Sequence, residues 1–94
     1  MKVRWTPEAL QDRDNIWNYI ATENPHAAAR MDQLFSDAAV SLSEFPKRGR
    51  SGTVSGTREL IPHESYRLVY EIEGETVWVL ALVQMARRWP PLRP

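Results

Sequence analysis

The chain contains no cysteine. Disulfides and thiolate metal sites are therefore excluded, and the composition suits a reducing compartment. No apolar run approaches the roughly 18–20 residues that a membrane span requires. The opening MKVRWTPE lacks the apolar core of a secretory signal. A soluble, cytoplasmic protein with no membrane association is expected. Net charge is also missing, since 12 basic residues balance 12 acidic ones. General electrostatic capture of nucleic acid is thereby disfavoured. Histidine occurs twice and shows no H-x-x-H spacing, so neither a metal nor a cofactor is expected.

What is present is unevenly placed. Residues 1–46 carry four basic and seven acidic side chains, whereas residues 47–94 carry eight basic and five acidic. Ten of the twelve basic residues are arginine, which suits bidentate recognition of carboxylate or phosphate. Three of the four glycines fall in PKRGRSGTVSGTREL, residues 46–60, together with Lys47, Arg48, Arg50 and Arg58. The length of PKRGRSGTVSG exceeds the usual connection of about 4–6 residues, which marks it as functional or mobile rather than a mere turn.

Periodicity predicts one domain, residues 1–94. Met1, Val3 and Trp5 alternate with Lys2 and Arg4, as in a short strand with one buried face. Thr6-Pro7-Glu8 is a helix start, combining a cap, a first-turn proline and an acid at the positive end of the dipole. Leu10, Arg13, Trp17 and Ile20 recur at helical spacing, with Ala9 and Ile16 beside them. Asn24-Pro25 ends this helix and starts the next. There Ala28, Met31, Phe35, Ala38, Leu42 and Phe45 form the stripe, widened by Leu34, until Pro46 stops it. So short a link predicts an antiparallel helical hairpin. The period then changes to two. A strand is predicted from Arg58 to Ile61, ended by Pro62. A second contains Tyr66, Leu68, Tyr70 and Ile72 on one face. Gly74 marks a turn, and residues 76–85, apolar on both faces, read as a central strand. The fold class is α+β, of order β-α-α-β-β-β, with the helical hairpin packed on one face of a mostly antiparallel sheet. If Tyr66, Leu68, Tyr70 and Ile72 face the helices, Arg67 stands on the open face, solvated and available to a ligand. Trp5, Trp17 and Trp78 are expected in the core.

Three segments, GRSGTVSGTREL (49–60), YRLVY (66–70) and VWVLALVQMARRWP (77–90), resemble the RelE/ParE superfamily of type II toxin–antitoxin toxins in content and spacing. The resemblance spans essentially the whole chain. It implies a RelE/ParE-like fold, a growth-inhibiting, plasmid-stabilising function, and a cognate antitoxin that joins the toxin in a hetero-oligomer. The superfamily has two branches. RelE-like members are ribosome-dependent mRNA endonucleases, and ParE-like members bind and poison DNA gyrase.

Cleavage by 2′-OH attack needs a base, a cation at the phosphate and an acid for the leaving oxygen. Arg67 matches the sheet arginine of the RelE-like set, and Arg58 is a candidate second phosphate contact. After Met85, however, ARRWPPLRP offers no Tyr, His, Lys, Asp or Glu. Gln84 stands where many relatives carry histidine, and an arginine of pKa above about 12 is a poor proton shuttle. A gyrase-binding toxin needs only anchors, and Arg and Trp are favoured in that role. The ParE-like reading is therefore preferred, with Arg58, Arg67, Arg87, Arg88 and Trp89 as target-binding residues. The alternative, a RelE-like nuclease acting on ribosome-bound mRNA, makes Arg58 and Arg67 catalytic. A degenerate toxin that keeps only the fold and antitoxin binding is a third reading. Arg58, Arg67 and Trp89 also have purely structural alternatives. Arg58 can pair with Glu71 or Glu73, Arg67 with an acid across strands, and Trp89 can tether the C-terminus against the sheet edge.

Overall fold

A computed structural model describes residues 1–91; Leu92, Arg93 and Pro94, which complete the predicted domain and its ARRWPPLRP tail, lie outside the described residues. The elements are β1 (Lys2–Trp5), α1 (Pro7–Ala21), α2 (Pro25–Glu44), β2 (Arg50–Ser51), β3 (Arg58–His63), β4 (Tyr66–Glu73) and β5 (Thr76–Gln84). They form one helical layer on a five-stranded sheet of order β1-β5-β4-β3-β2. Only β1 runs parallel to its neighbour, β5, and the other pairings are antiparallel. The α+β class and the helical hairpin are as expected. The two-residue β2 inside the glycine-rich segment is an element that periodicity cannot register.

Both helices start where the sequence places them. Thr6 Oγ1 accepts the Ala9 N–H and Asn24 Oδ1 the Ala27 N–H, each at 3.1 Å, with proline at the first helical position. The caps satisfy donors that have no partner within the helix. Between them, α1 closes with the Thr22 N–H on the Asn18 carbonyl.

The buried face of α1 differs from the predicted stripe. Ala9 is fully buried and Ile16 packs on the core, whereas Leu10 and Trp17 are exposed. The small Ala9 lets α1 lie close against β5, and the large residues fall outside that line of contact. Trp17 is thus not a core residue, while Trp5 packs against the core and Trp78 is half-buried. Phe45 is likewise exposed, because it is the C-cap of α2 with non-helical backbone. The strand β3 does not end before Pro62 but runs through it to His63, with an irregular register after Leu60. Its outer neighbour β2 pairs only with Arg58 and Glu59, so a proline at 62 removes no ladder hydrogen bond on that side.

The core joins Phe35, Ala39 and Leu42 of α2 to Tyr66, Leu68 and Tyr70 of β4 and to Val77, Val79 and Leu82 of β5. Phe35 meets Tyr66 edge-on, with ring centres 5.6 Å apart. The register explains why β5 is apolar on both faces. Tyr70 pairs with Val79 but Val69 with Ala81, so Leu80 is an extra residue. This bulge reverses the alternation. Val77 and Val79 face the helices before it; after it Leu82 does, while Ala81 and Val83 join Val69 on the opposite face.

Arg13, set within the predicted apolar stripe, ties the layers together. Its Nε and Nη2 donate to the two carboxylate oxygens of Asp32 on α2, at 2.6 and 2.9 Å. The same guanidinium lies over the Trp5 ring of β1, 4.8 Å from its centre. A fork-to-carboxylate pair combined with a cation–π contact is stronger than an exposed ion pair. Arg13→Ala is expected to cost about 2 kcal/mol in urea unfolding, and Arg13→Lys to recover only part of it, because ammonium cannot form the fork. Full recovery by lysine would show that charge alone suffices.

Candidate target-binding face

Register partners share a face of the sheet, so the pairings assign each candidate side chain. Arg50 lies opposite Glu59, Glu59 opposite Val69, and Arg67 opposite Val83. All are on the face turned away from the helices. At its centre is Glu59, whose side chain is only 2% exposed. Glu59 Oε2 accepts the Thr53 N–H at 3.1 Å, and Oε1 meets Arg67 Nη1 at 3.4 Å and Arg50 Nη2 at 3.9 Å.

The placement of Arg67 on the open face is as parity predicts, but it is not solvated. Its side chain is 14% exposed, and Nη2 donates to the Arg87 carbonyl at 3.0 Å. The reason is the segment after β5. It turns back at Gln84, where the Arg87 N–H meets the Gln84 carbonyl, and lays Trp89 on Val69, Ala81 and Val83. Trp89 therefore covers the open face rather than the sheet edge. Arg67 Nε and Trp89 Nε1 are both buried there without a hydrogen-bond partner among the described residues. The Arg87 and Arg88 side chains are exposed.

Arg58 is not beside Arg67. It lies opposite Tyr70, on the helix-side face, and its Nη1 donates to the carbonyls of Gly49 at 2.9 Å and Lys47 at 3.3 Å. It pairs with neither Glu71 nor Glu73. The Tyr70 hydroxyl completes this clamp by donating to the Pro46 carbonyl at 2.7 Å and accepting the Gly49 N–H at 2.9 Å. A Cβ at Gly49 would stand 2.7 Å from the Tyr70 hydroxyl oxygen and 2.9 Å from the Glu59 carbonyl oxygen, so only glycine fits. Further along, the Gly52 N–H bonds the Thr57 carbonyl and the Thr57 N–H the Val54 carbonyl. The segment PKRGRSGTVSG is thus a clamped hairpin that presents Arg50. The residues missed by sequence reasoning are Glu59 and Arg50. Parity in TREL, set against the Arg67 strand, is the signal that would have placed Glu59.

A groove of about 530 Å³ adjoins this face, between α1, the end of β5 and the C-terminal segment. Asp12 of α1 reaches across to accept the Leu82 N–H at 3.1 Å. Burial raises its carboxyl above the ordinary 3.8, against the lowering effect of that N–H, and Glu8 adds to the rise. Burial likewise raises the Tyr66 hydroxyl, with a smaller push from Tyr19. His63 Nδ1 accepts the Ser65 N–H at 3.0 Å within its turn, and Gln84 occupies the end of β5 opposite Tyr66.

Removing the acid at the centre exposes how much depends on it. Glu59→Ala should cost about 3 kcal/mol in urea unfolding, because Arg67 is left buried and unpaired. Adding Arg67→Ala should then cost less than the two single losses summed. A loss below about 1 kcal/mol in Glu59→Ala would mean that solvent satisfies Arg67 instead. Asp12 makes a pH prediction. The folded state holds its proton more tightly than the unfolded chain, so its contribution is most favourable below pH 3.8 and declines as pH rises through the folded value. Asp12→Asn keeps an acceptor for Leu82. Its melting temperature should match wild type in acid and exceed it at neutral pH; the reverse trend would refute the assignment.

Comparison with known proteins places this architecture. A family model described as the ParE toxin of the type II toxin–antitoxin system parDE matches residues 3–89. "Putative toxin Y4kP" of Sinorhizobium fredii is 36% identical over 95% of this chain and 93% of its own length. "Toxin RelE2" of Caulobacter vibrioides is 37% identical over 92% of this chain and 97% of its own. Among solved structures, one titled as the chromosomal ParDE system from P. aeruginosa shares the fold with a TM-score of 0.78 at 23% identity, covering 89% of this chain and 95% of that one. A YoeB/ParE toxin from Agrobacterium tumefaciens does so with a TM-score of 0.64 at 20% identity, covering 89% and 98%. The chain belongs to the ParE toxin family of type II toxin–antitoxin systems, within the RelE/ParE superfamily.

Proposed function

We propose that this toxin acts in the cytoplasm by binding and poisoning DNA gyrase, and that a cognate antitoxin neutralises it in a hetero-oligomer. The observation that carries this reading is the state of Arg67. Two of its donors are taken by Glu59 and the Arg87 carbonyl, and among the described residues the only side chain bonded to it is the pinned Glu59. An arginine held this way, with no further acid or base bonded to it among the described residues, suits a rigid binding face better than proton transfer. Arg87 and Arg88 are the exposed anchors. Arg67 and Trp89 hold the segment that carries them, and Arg58 holds the loop that presents Arg50.

The reading is tested in a gyrase supercoiling assay. Wild-type toxin should inhibit, and Arg87→Ala with Arg88→Ala should weaken inhibition at least about tenfold, the loss expected for two interface anchors. No inhibition at high excess, by toxin that still binds its antitoxin, would overturn it. The name of the Caulobacter relative, RelE2, keeps one alternative in view, a ribosome-dependent mRNA endonuclease using Arg58 and Arg67. Toeprinting on translating ribosomes decides that case, with cleavage that is lost in Arg67→Ala as its signature.

A further inference from the structure

The glycine-rich hairpin presents charge of one sign. From Phe45 to Arg58 the sequence holds Lys47, Arg48 and Arg50 and no acid. All three are exposed, as are Ser51, Thr53 and Ser55. Among the described residues Lys47 and Arg48 have no carboxylate within 4.0 Å. Arg50 faces the Glu59 carboxylate, but at 3.9 Å and with its side chain 61% exposed. The backbone adds to this polarity. The Phe45 and Val54 carbonyls accept the Arg48 and Thr57 N–H groups. The Tyr70 hydroxyl donates to the Pro46 carbonyl, and Arg58 to those of Lys47 and Gly49. Carbonyls that would repel an anion are thus consumed by the protein, while cations and hydroxyls are left exposed. The same bonds fix the loop before any ligand arrives, which lowers the ordering cost of binding.

A fixed group of cations on a loop with paired carbonyls suits a polyanion whose charges repeat along a line. We propose that this hairpin holds the phosphate backbone of duplex DNA, with Lys47, Arg48 and Arg50 as the phosphate contacts and the Ser51, Thr53 and Ser55 hydroxyls as further donors. Residues 46–60 contain no Asn, Gln or aromatic side chain. Adenine edges find no amide to read them and unpaired bases no ring to stack on, which favours the duplex backbone over single-stranded RNA. A protein partner also fits less well. Val54 is the one large apolar side chain exposed in this stretch, and interface hot spots are built from well-packed anchors. The zero net charge of the chain keeps such a grip weak by itself. It becomes effective where a duplex is already at hand, and DNA gyrase acts on one. Naming gyrase-held DNA as the source rests on the function proposed above; there the hairpin adds a second contact to a docking made elsewhere, at high local concentration.

The first test needs only the toxin. Fluorescence anisotropy follows its binding to a labelled duplex of two helical turns. Three neutralised phosphates should make the affinity fall about 40-fold between about 50 and 200 mM salt. In Lys47→Gln combined with Arg48→Gln one contact remains, so the fall should shrink to about 3.5-fold, with weaker binding at low salt. The clamp uses the backbone of these two residues and not their side chains, so the urea midpoint should be unchanged. Two duplexes of unrelated sequence should bind alike. No binding at low salt, an unchanged salt dependence in the variant, loss of binding only in Arg87→Gln with Arg88→Gln, or tighter binding of an oligouridylate or an oligoglutamate would each overturn the proposal. The second test uses gyrase. Wild-type toxin should bind gyrase loaded with DNA about tenfold more tightly than gyrase alone, and the Lys47→Gln, Arg48→Gln variant should lose that difference while keeping its affinity for DNA-free gyrase. Absence of the difference in wild type, or its survival in the variant, overturns the hairpin as a DNA contact at gyrase. Toxin that binds duplex with the expected salt dependence but never binds gyrase overturns the target and upholds the hairpin.

Discussion

Glu59 carries its carboxylate at a place that water hardly reaches, and three cationic or N–H donors converge on it, two from the glycine-rich hairpin and one from β4. A buried carboxylate is tolerated only when it is paired and hydrogen-bonded. Here that requirement organises the whole open face. Thr53 brings the glycine-rich hairpin to β3, Arg50 lies across from it on β2, and Arg67 reaches it from β4. Arg67 in turn holds the Arg87 carbonyl, which fixes the start of the C-terminal segment. The chain of dependence runs from one acid in TREL to the arginines at the end of the protein.

The opposite face of the sheet obeys a different rule. There apolar burial does the organising, with the small Ala9, Ala28 and Ala39 letting the helices approach and Phe35, Leu42 and Tyr70 filling the space between layers. Its polar exceptions are locks. Arg13 joins α1 to α2 and β1, and Tyr70 with Arg58 clamps the segment leaving α2. Arg58 and Arg67 look alike in the sequence, but they serve opposite faces, one holding a loop and the other a buried acid.

The bulge at Leu80 links the two faces. Without it, Ala81 and Val83 would follow Val77 and Val79 toward the helices. With it they join Val69 and provide the apolar floor on which Trp89 rests. The same irregularity falls just beyond the end of β1, where the edge of β5 opens into the groove lined by α1 and the C-terminal segment. One extra residue in a strand thus sets both the seat of the tail and the start of the open edge.

Local chemistry was legible in the sequence because its rules act over a few residues. The capping side chains, the two prolines that start helices, the change of period at the sheet and the outward parity of Arg67 all follow from neighbours along the chain. The family followed from the spacing of three motifs. The contents of the site did not follow, and the reason is physical. The partners of Glu59 come from positions 50, 53 and 67, and the cover over Arg67 comes from positions 87 and 89, brought together only by strand order and register. Periodicity also could not reveal that Leu80 interrupts its own alternation, or that Trp17 and Phe45 fall outside the lines of helix contact. Sequence alone determined which elements form, the two-residue β2 apart, and to which family they belong. Tertiary structure decided which arginine is exposed, which is consumed, and what lies beside each, because those depend on contacts between residues that no local pattern connects.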